Sequence, residues 1–254
     1  MLKPTVTLLA AILLFAGCKS SDKPVLLRLN MKKGETFTLI SKISTDVQSM
    51  SLNTEEVIKL SVDSADNNEM VLVGDVISIK SESDMMGEKE SYNSDKKTEE
   101  MTADELEMHG EFTKILNSNF HFKVNNRGQL TRGMTYQDGQ TLASEENPFD
   151  LDNFFISFPE KEIKVGDTWE EEKTSAFLDI KSVFVYKIKE INNNEVIISV
   201  TKNIGPIKGI NQGNTATGDY IIDRSTGRLL KGSLVMQMQS GLGGGKATYS
   251  FETK

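Results

Sequence analysis

Few side chains in this sequence are spaced for chemistry. Among 254 residues there are two histidines, His109 and His121, and one cysteine, Cys18. A single cysteine excludes an internal disulfide, a Cys-ligated zinc site and a Cys-x-x-Cys redox pair. The chain has no His-Glu-x-x-His or His-x-His spacing and no Gly-x-Ser-x-Gly elbow, so zinc and serine hydrolases lack their usual parts. Both histidines therefore read as structural, and His121, between Phe120 and Phe122, points to the wetter face of a strand. Gly243-Gly244-Gly245-Lys246-Ala247-Thr248 has the look of a phosphate loop but departs from it in detail. Ser240 stands where the first glycine belongs, Ala247 replaces the hydroxyl residue, and a strand pattern follows where a helix is required. A flexible hairpin tip is the reading there.

Carboxylates are the one plentiful group, 37 against 29 Lys and Arg. They cluster at Glu170-Glu171-Glu172, at Asp104, Glu105, Glu107 and Glu111, and at Asp150 and Asp152. A calcium loop needs alternating oxygens around a central glycine, which residues 63–69 do not supply. These runs read as solvated charged faces. A carboxylate-based hydrolase stays open as a third reading, because the two acids of such an enzyme need not be neighbours in sequence.

The strongest positive signal is at the amino terminus. Lys3 precedes an apolar run from Val6 to Ala16, interrupted only by Thr7 and too short for a spanning helix, which needs about 20 residues. It predicts a signal peptide over residues 1–17. The run ends at Phe15-Ala16-Gly17-Cys18, which resembles the lipobox of bacterial lipoproteins, where cleavage precedes the cysteine and its thiol is diacylated, for example with palmitate. Phe15 departs from the usual Leu, Ile or Val. The resemblance implies a membrane anchor through lipidated Cys18, and Lys19 in place of Asp implies export to the outer membrane. Residues 18–25 read as a polar tether. Loss of Lys3 with the signal moves the formal net charge from −8 to −9. So acidic a body does not bind nucleic acid or anionic headgroups by charge.

The elements that would carry any site follow a period of two from Leu26 onward. Phe37, Leu39, Ile43 and Val47 share one strand face, and Ile58, Leu60 and Val62 another. Further strands are expected at 70–76, 120–124, 183–188, 195–201, 218–222, 229–239 and 247–251. Turns are expected at 66–68, 125–128, 192–194, 223–227 and 241–245, all rich in Asn, Asp and Gly. Two segments read as helical. Thr102 to Glu105 forms a capping box ahead of Leu106, Met108, Phe112, Ile115 and Leu116, and Asn147-Pro148 opens a second helix that Pro159 stops. The fold class is mainly β: a curved antiparallel sheet or partly closed β-barrel with one or two short helices.

Ordered echoes suggest two related halves, 26–133 and 163–254, within a β-rich domain over 26–254. Lys33-Gly34-Glu35-Thr36-Phe37 echoes Val165-Gly166-Asp167-Thr168-Trp169, Asn68-Glu69 echoes Asn194-Glu195, and Gly128-Gln129-Leu130 echoes Gly227-Arg228-Leu229. Residues 134–162 form the connector, helical in this reading, and a Met-rich charged insertion around 84–110 makes the first half longer. Chance recurrence of hairpin chemistry is the alternative.

The segments 27–36, Tyr92-Asn93-Ser94-Asp95 and 158–169 resemble a family of bacterial lipoproteins, most from Bacteroidota-like bacteria, whose domain has no assigned function. That resemblance brings no catalytic residues. No catalytic, metal or cofactor-binding residue is assigned, and no cofactor is expected. The first functional reading is a lipid-anchored, non-catalytic envelope module that meets a protein partner through the acidic insertion. The second is a carrier of an apolar or lipid-like ligand, with Phe122, Met236 and Met238 lining a candidate cavity, since Met suits adaptable apolar surfaces.

Overall fold

The computed structural model describes residues 23–66, 68–117, 119–136, 151–174, 180–205, 214–240 and 243–254. The fold is mainly β, one antiparallel sheet that curves without closing into a barrel. The strands are β1 (Thr36–Val47), β2 (Met50–Ala65), β3 (Glu69–Met85), β4 (Glu88–Asn93), β5 (Asn119–Asn125), β6 (Leu130–Tyr136), β7 (Thr168–Thr174), β8 (Lys181–Ile191), β9 (Glu195–Ile204), β10 (Asn214–Asp223), β11 (Leu229–Ser240) and β12 (Gly243–Thr253). They run in the order β6-β5-β3-β2-β1-β12-β11-β10-β9-β8-β7, with β4 added to β3. Helix α1 (Ala103–Leu116) follows β4, and a single turn, α2 (Leu151–Phe154), precedes β7.

Alternation places the core. On β2, Ile58, Leu60 and Val62 are buried, as are Phe184, Tyr186 and Ile188 on β8, while their neighbours point outward. One end of the sheet holds the turns that join β2 to β3, β5 to β6, β8 to β9 and β10 to β11. Two extended segments close this turn end. Leu27, Leu29 and Met31 lie across it, Leu29 N donating to Asn126 O and Asn30 N to Thr226 O. Phe155, Ile156 and Phe158 form a strap beside them, Phe158 N donating to Arg127 O. The opposite, hairpin end carries the β1–β2 and β3–β4 connections.

Turns in segments 26–133 and 163–254 carry similar hydrogen bonds. Gly34 and Gly166, at φ +86° and +91°, donate to Val62 O and Ile188 O. Asp66 Oδ1 accepts from the amides of Asn68 and Glu69; Asn192 Oδ1 accepts from those of Asn194 and Glu195. Asn125 caps Arg127 and Gln129 as Asp223 caps Ser225 and Thr226, and each turn closes on a positive-φ glycine, Gly128 or Gly227. Only residue types that accept locally or tolerate φ > 0 serve there.

Differences from the sequence reading have local causes. Val25 pairs with Ile163 through both backbone bonds, so the last residue of the expected tether is already part of the fold. Strand β6 extends to Tyr136, three residues into the expected connector. Strands β4 and β7 escape the hydrophobic pattern because Glu, Lys, Ser and Thr dominate them, and β6 because Arg132 and Gly133 interrupt its alternation. The signal peptide, Cys18, the Asn147-Pro148 helix start, Asp150 and the tip at 241–242 lie outside the described residues.

Candidate functional site

The capping box at Thr102 sets the start of α1: Glu105 N donates to Thr102 Oγ1 and Thr102 N to Glu105 Oε2. Glu105 is buried and pairs with Lys96 at 2.5 Å, which with the amide bond holds its carboxyl below the usual range. Tyr92, fully buried on β4, bonds His109 Nδ1 at 2.9 Å and packs on Phe112. The insertion is thus fastened to the sheet, and His109 sits inside that fastening. His121 is half-buried between the core aromatics Phe120 and Phe122.

A second polar group faces inward from β7 to β10. Lys173 pairs with Glu171 at 3.4 Å and donates to Phe155 O, while Glu171 accepts from Ser157 Oγ and from Tyr186 OH at 3.3 Å. Lys202 donates to Asn153 Oδ1, Tyr220 OH to Asn153 O, and Trp169 Nε1 to Ser157 O. Both ammonium groups lie about 5 Å from the Phe184 ring centre, at 4.9 and 5.1 Å. The cluster latches residues 153–157 to the sheet. Glu171 therefore departs from the solvated face expected of its run: on alternating β7 it points inward while Glu170 and Glu172 face solvent. Sequence reasoning missed this latch, because its partners come from five separate segments.

The turn end leaves little room. The space among Leu29, Met31, Phe37, Phe154, Phe155 and Phe158 is about 10 Å³. A polar cleft of about 320 Å³ opens on the outside of this end, beside Arg28, Asp66, Asn126 and Arg224. Its polar walls are already engaged: Arg28 donates to the carbonyls of Leu27, Pro159 and Glu160, and Asp66 holds two amides. Phe122 is buried against Phe155, Met236 is buried and Met238 half-buried. All three face inward: Phe122 and Met236 belong to one core and Met238 packs against it, with four strands between β5 and β11. Among the described residues no group of three or more His, Cys, Asp or Glu side chains converges on a metal-sized position.

The hairpin end is different. Met50 and Leu52 have the same strand parity as buried Ile58 and Leu60, yet they are 47% and 38% exposed. Met85, paired with Met50, is 56% exposed, and Met86 is 84% exposed. Met86 N donates to Ser49 O, which binds the two hairpin tips together. Met86 sits at φ +59°, where a side chain costs roughly 1 kcal/mol that glycine would not. Acidic charge runs from this corner into α1. Residues 82–111 hold eleven acidic and three basic side chains, leaving 26 of each sign elsewhere (37 less 11, 29 less 3). The net charge of residues 82–111 therefore equals that of the whole chain.

Among curated proteins none is similar to this chain. Residues 148–229, which contain the latch, match the model described as "Family of unknown function (DUF6263)". Four solved chains match. One is lipovitellin, from a structure titled for lipid–protein interactions, at 12% identity and TM-score 0.54 over 89% of this chain and 25% of that one. Another is a DUF1329 family protein from Desulfovibrio piger, at 9% identity and TM-score 0.22 over 87% and 85%. This chain spans about a quarter of lipovitellin's length, and what it shares with lipovitellin is the fold.

Proposed function

We propose that this protein is a non-catalytic binding module, tethered to the cell envelope through acylated Cys18, that offers its hairpin end to a protein partner. The observation that carries the reading is the opposition of two ends. The chain enters the fold at Val25, on the turn end, whereas Met50, Leu52, Met85 and Met86 are exposed at the other. At about 3.3 Å per residue the 17 residues of β3 separate the two ends by roughly 50 Å. A tether at one end directs the other away from its own membrane. An exposed apolar corner on the core side of a sheet is the kind of surface that marks an interaction site.

A photo-crosslinking residue placed at Met86, and separately at Val165 on the turn end, tests this in intact cells. Protein adducts are expected from position 86 and not from 165; the reverse pattern, or equal adducts, contradicts the reading. Cys18→Ser is expected to release the chain from the membrane fraction.

A carrier of an apolar ligand is the second reading. It is supported by the fold shared with lipovitellin and by the inward-facing Met236 and Met238, and opposed by the filled turn end. Native mass spectrometry of the detergent-extracted chain distinguishes them, since a carrier retains lipid noncovalently.

A further inference from the structure

We propose that the hairpin-end corner docks a cationic amphipathic segment of the partner protein. This deepens the reading above and rests on it. The corner itself is apolar. Met50 and Met85 face each other across β2–β3, Leu52 lies next along the same face, and Met86 projects from the joined tip. Three of these four side chains are methionines, flexible and polarisable, which accommodate an apolar stripe without one fixed shape. An amphipathic helix laid on such a surface presents residues at i, i+3, i+4 and i+7.

Charge complementarity selects the sign of the other stripe. Glu88 is the cross-strand partner of Met85, and Glu90 that of Ser83. Both are exposed, and neither pairs with a cation among the described residues. Residues 82–111 carry the acidic surplus, and Glu82, Asp84, Glu88 and Glu90 lie on the strands that form this corner. Such a field attracts a basic segment and repels acidic ones and anionic membranes. A partner with apolar residues on one helical face and Lys or Arg on the other matches both the apolar corner and the acidic field.

The test uses the full chain carried in phosphatidylcholine nanodiscs and a labelled 18-residue Leu/Lys amphipathic peptide, a Leu/Glu peptide of the same pattern, and phosphatidylglycerol vesicles. The Leu/Lys peptide is expected to bind at least tenfold more tightly than the Leu/Glu peptide, and to weaken as salt rises from 50 to 300 mM. Glu88→Lys with Glu90→Lys, and separately Met50→Ser with Met85→Ser and Met86→Ser, are each expected to weaken binding at least tenfold with the thermal midpoint unchanged. Binding that ignores either set of substitutions, equal binding of the Leu/Glu peptide, no binding of the Leu/Lys peptide, or preference for the vesicles overturns the proposal. Failure of the underlying reading is distinct: adducts at position 165 rather than 86 in cells overturn it whatever the peptides do.

Discussion

Met50 and Met85 stand directly opposite each other across the β2–β3 ladder, on the face that elsewhere holds the core, yet both are exposed. A few residues along the same strand, Ile58 and Leu60 are sealed. The boundary between them falls at Glu56, a buried carboxyl whose cross-strand neighbours are Ser41 and Ile79. The cover given by the first extended segment, the strap and α1 thus stops part-way along the sheet.

Glu56 gives a pH dependence. Burial pushes its carboxyl from an ordinary 4.5 up to about 8. A raised acid holds its proton more tightly when folded, so its contribution is complete below pH 4.5 and is lost as pH rises through about 8. The loss is on the order of 3–5 kcal/mol across that window. Thermal unfolding between pH 5 and 9 should show a falling midpoint that Glu56→Gln flattens; equal slopes in both proteins contradict this. Asp66, Asp95 and Glu105 are shifted the other way by their hydrogen bonds, and their contribution is lost only on acidification.

Two pairs of turn glycines should separate by what a methyl group meets. At Gly34 and Gly166 nothing lies within 4 Å, so alanine costs the positive φ alone, about 1 kcal/mol. At Gly128 an added Cβ would stand 2.1 Å from Ile156 O, and at Gly227 2.3 Å from Arg28 O. Those substitutions push the closing segments off the turn end and should cost about 3 kcal/mol or more. Urea midpoints of the four alanine variants check the ranking.

The latch should behave as a buried network. Glu171→Ala removes the anion facing Lys173 and two acceptors used by Ser157 and Tyr186, at a cost of about 3 kcal/mol. Limited proteolysis should then cut within residues 151–158, while Glu170→Ala, on the outer side of the same strand, leaves the wild-type pattern. Cleavage unchanged in Glu171→Ala would show that the latch does not hold the strap.

Met86→Gly separates folding from binding at a single position. Relief of the left-handed backbone offsets the entropy glycine adds to the unfolded chain, so stability should change by no more than about 1 kcal/mol. Crosslinking from a probe at Leu52 should nevertheless drop, because the most exposed apolar side chain of the corner is gone. Unaltered crosslinking would remove Met86 from the contact.

Much of the fold was legible because its signals are local. The alternation of Ile58, Leu60 and Val62, the Asn and Asp turns, and the Thr102 capping box each act within a few residues, and each appears where expected. Strand β7 was not legible: Thr-Trp-Glu-Glu-Glu-Lys-Thr hides an inward face whose Glu171 and Lys173 are stabilised by Ser157 and Phe155, distant in pattern though near in space. The candidate site divides in the same way. The acidic, Met-rich insertion could be seen in composition, but that Met50 and Leu52 join Met85 and Met86 on one corner depends on the β2–β3 register, which no single segment encodes.

Hydrogen–deuterium exchange of the full chain in native envelopes, against the same chain purified in detergent, reports whether a partner occupies the hairpin end. Occupancy of the hairpin end predicts slower exchange in envelopes for the tips around 47–52 and 83–90, with the turns at 66–69 and 223–227 unchanged. Slower exchange at the turns, or no difference at the tips, would contradict it.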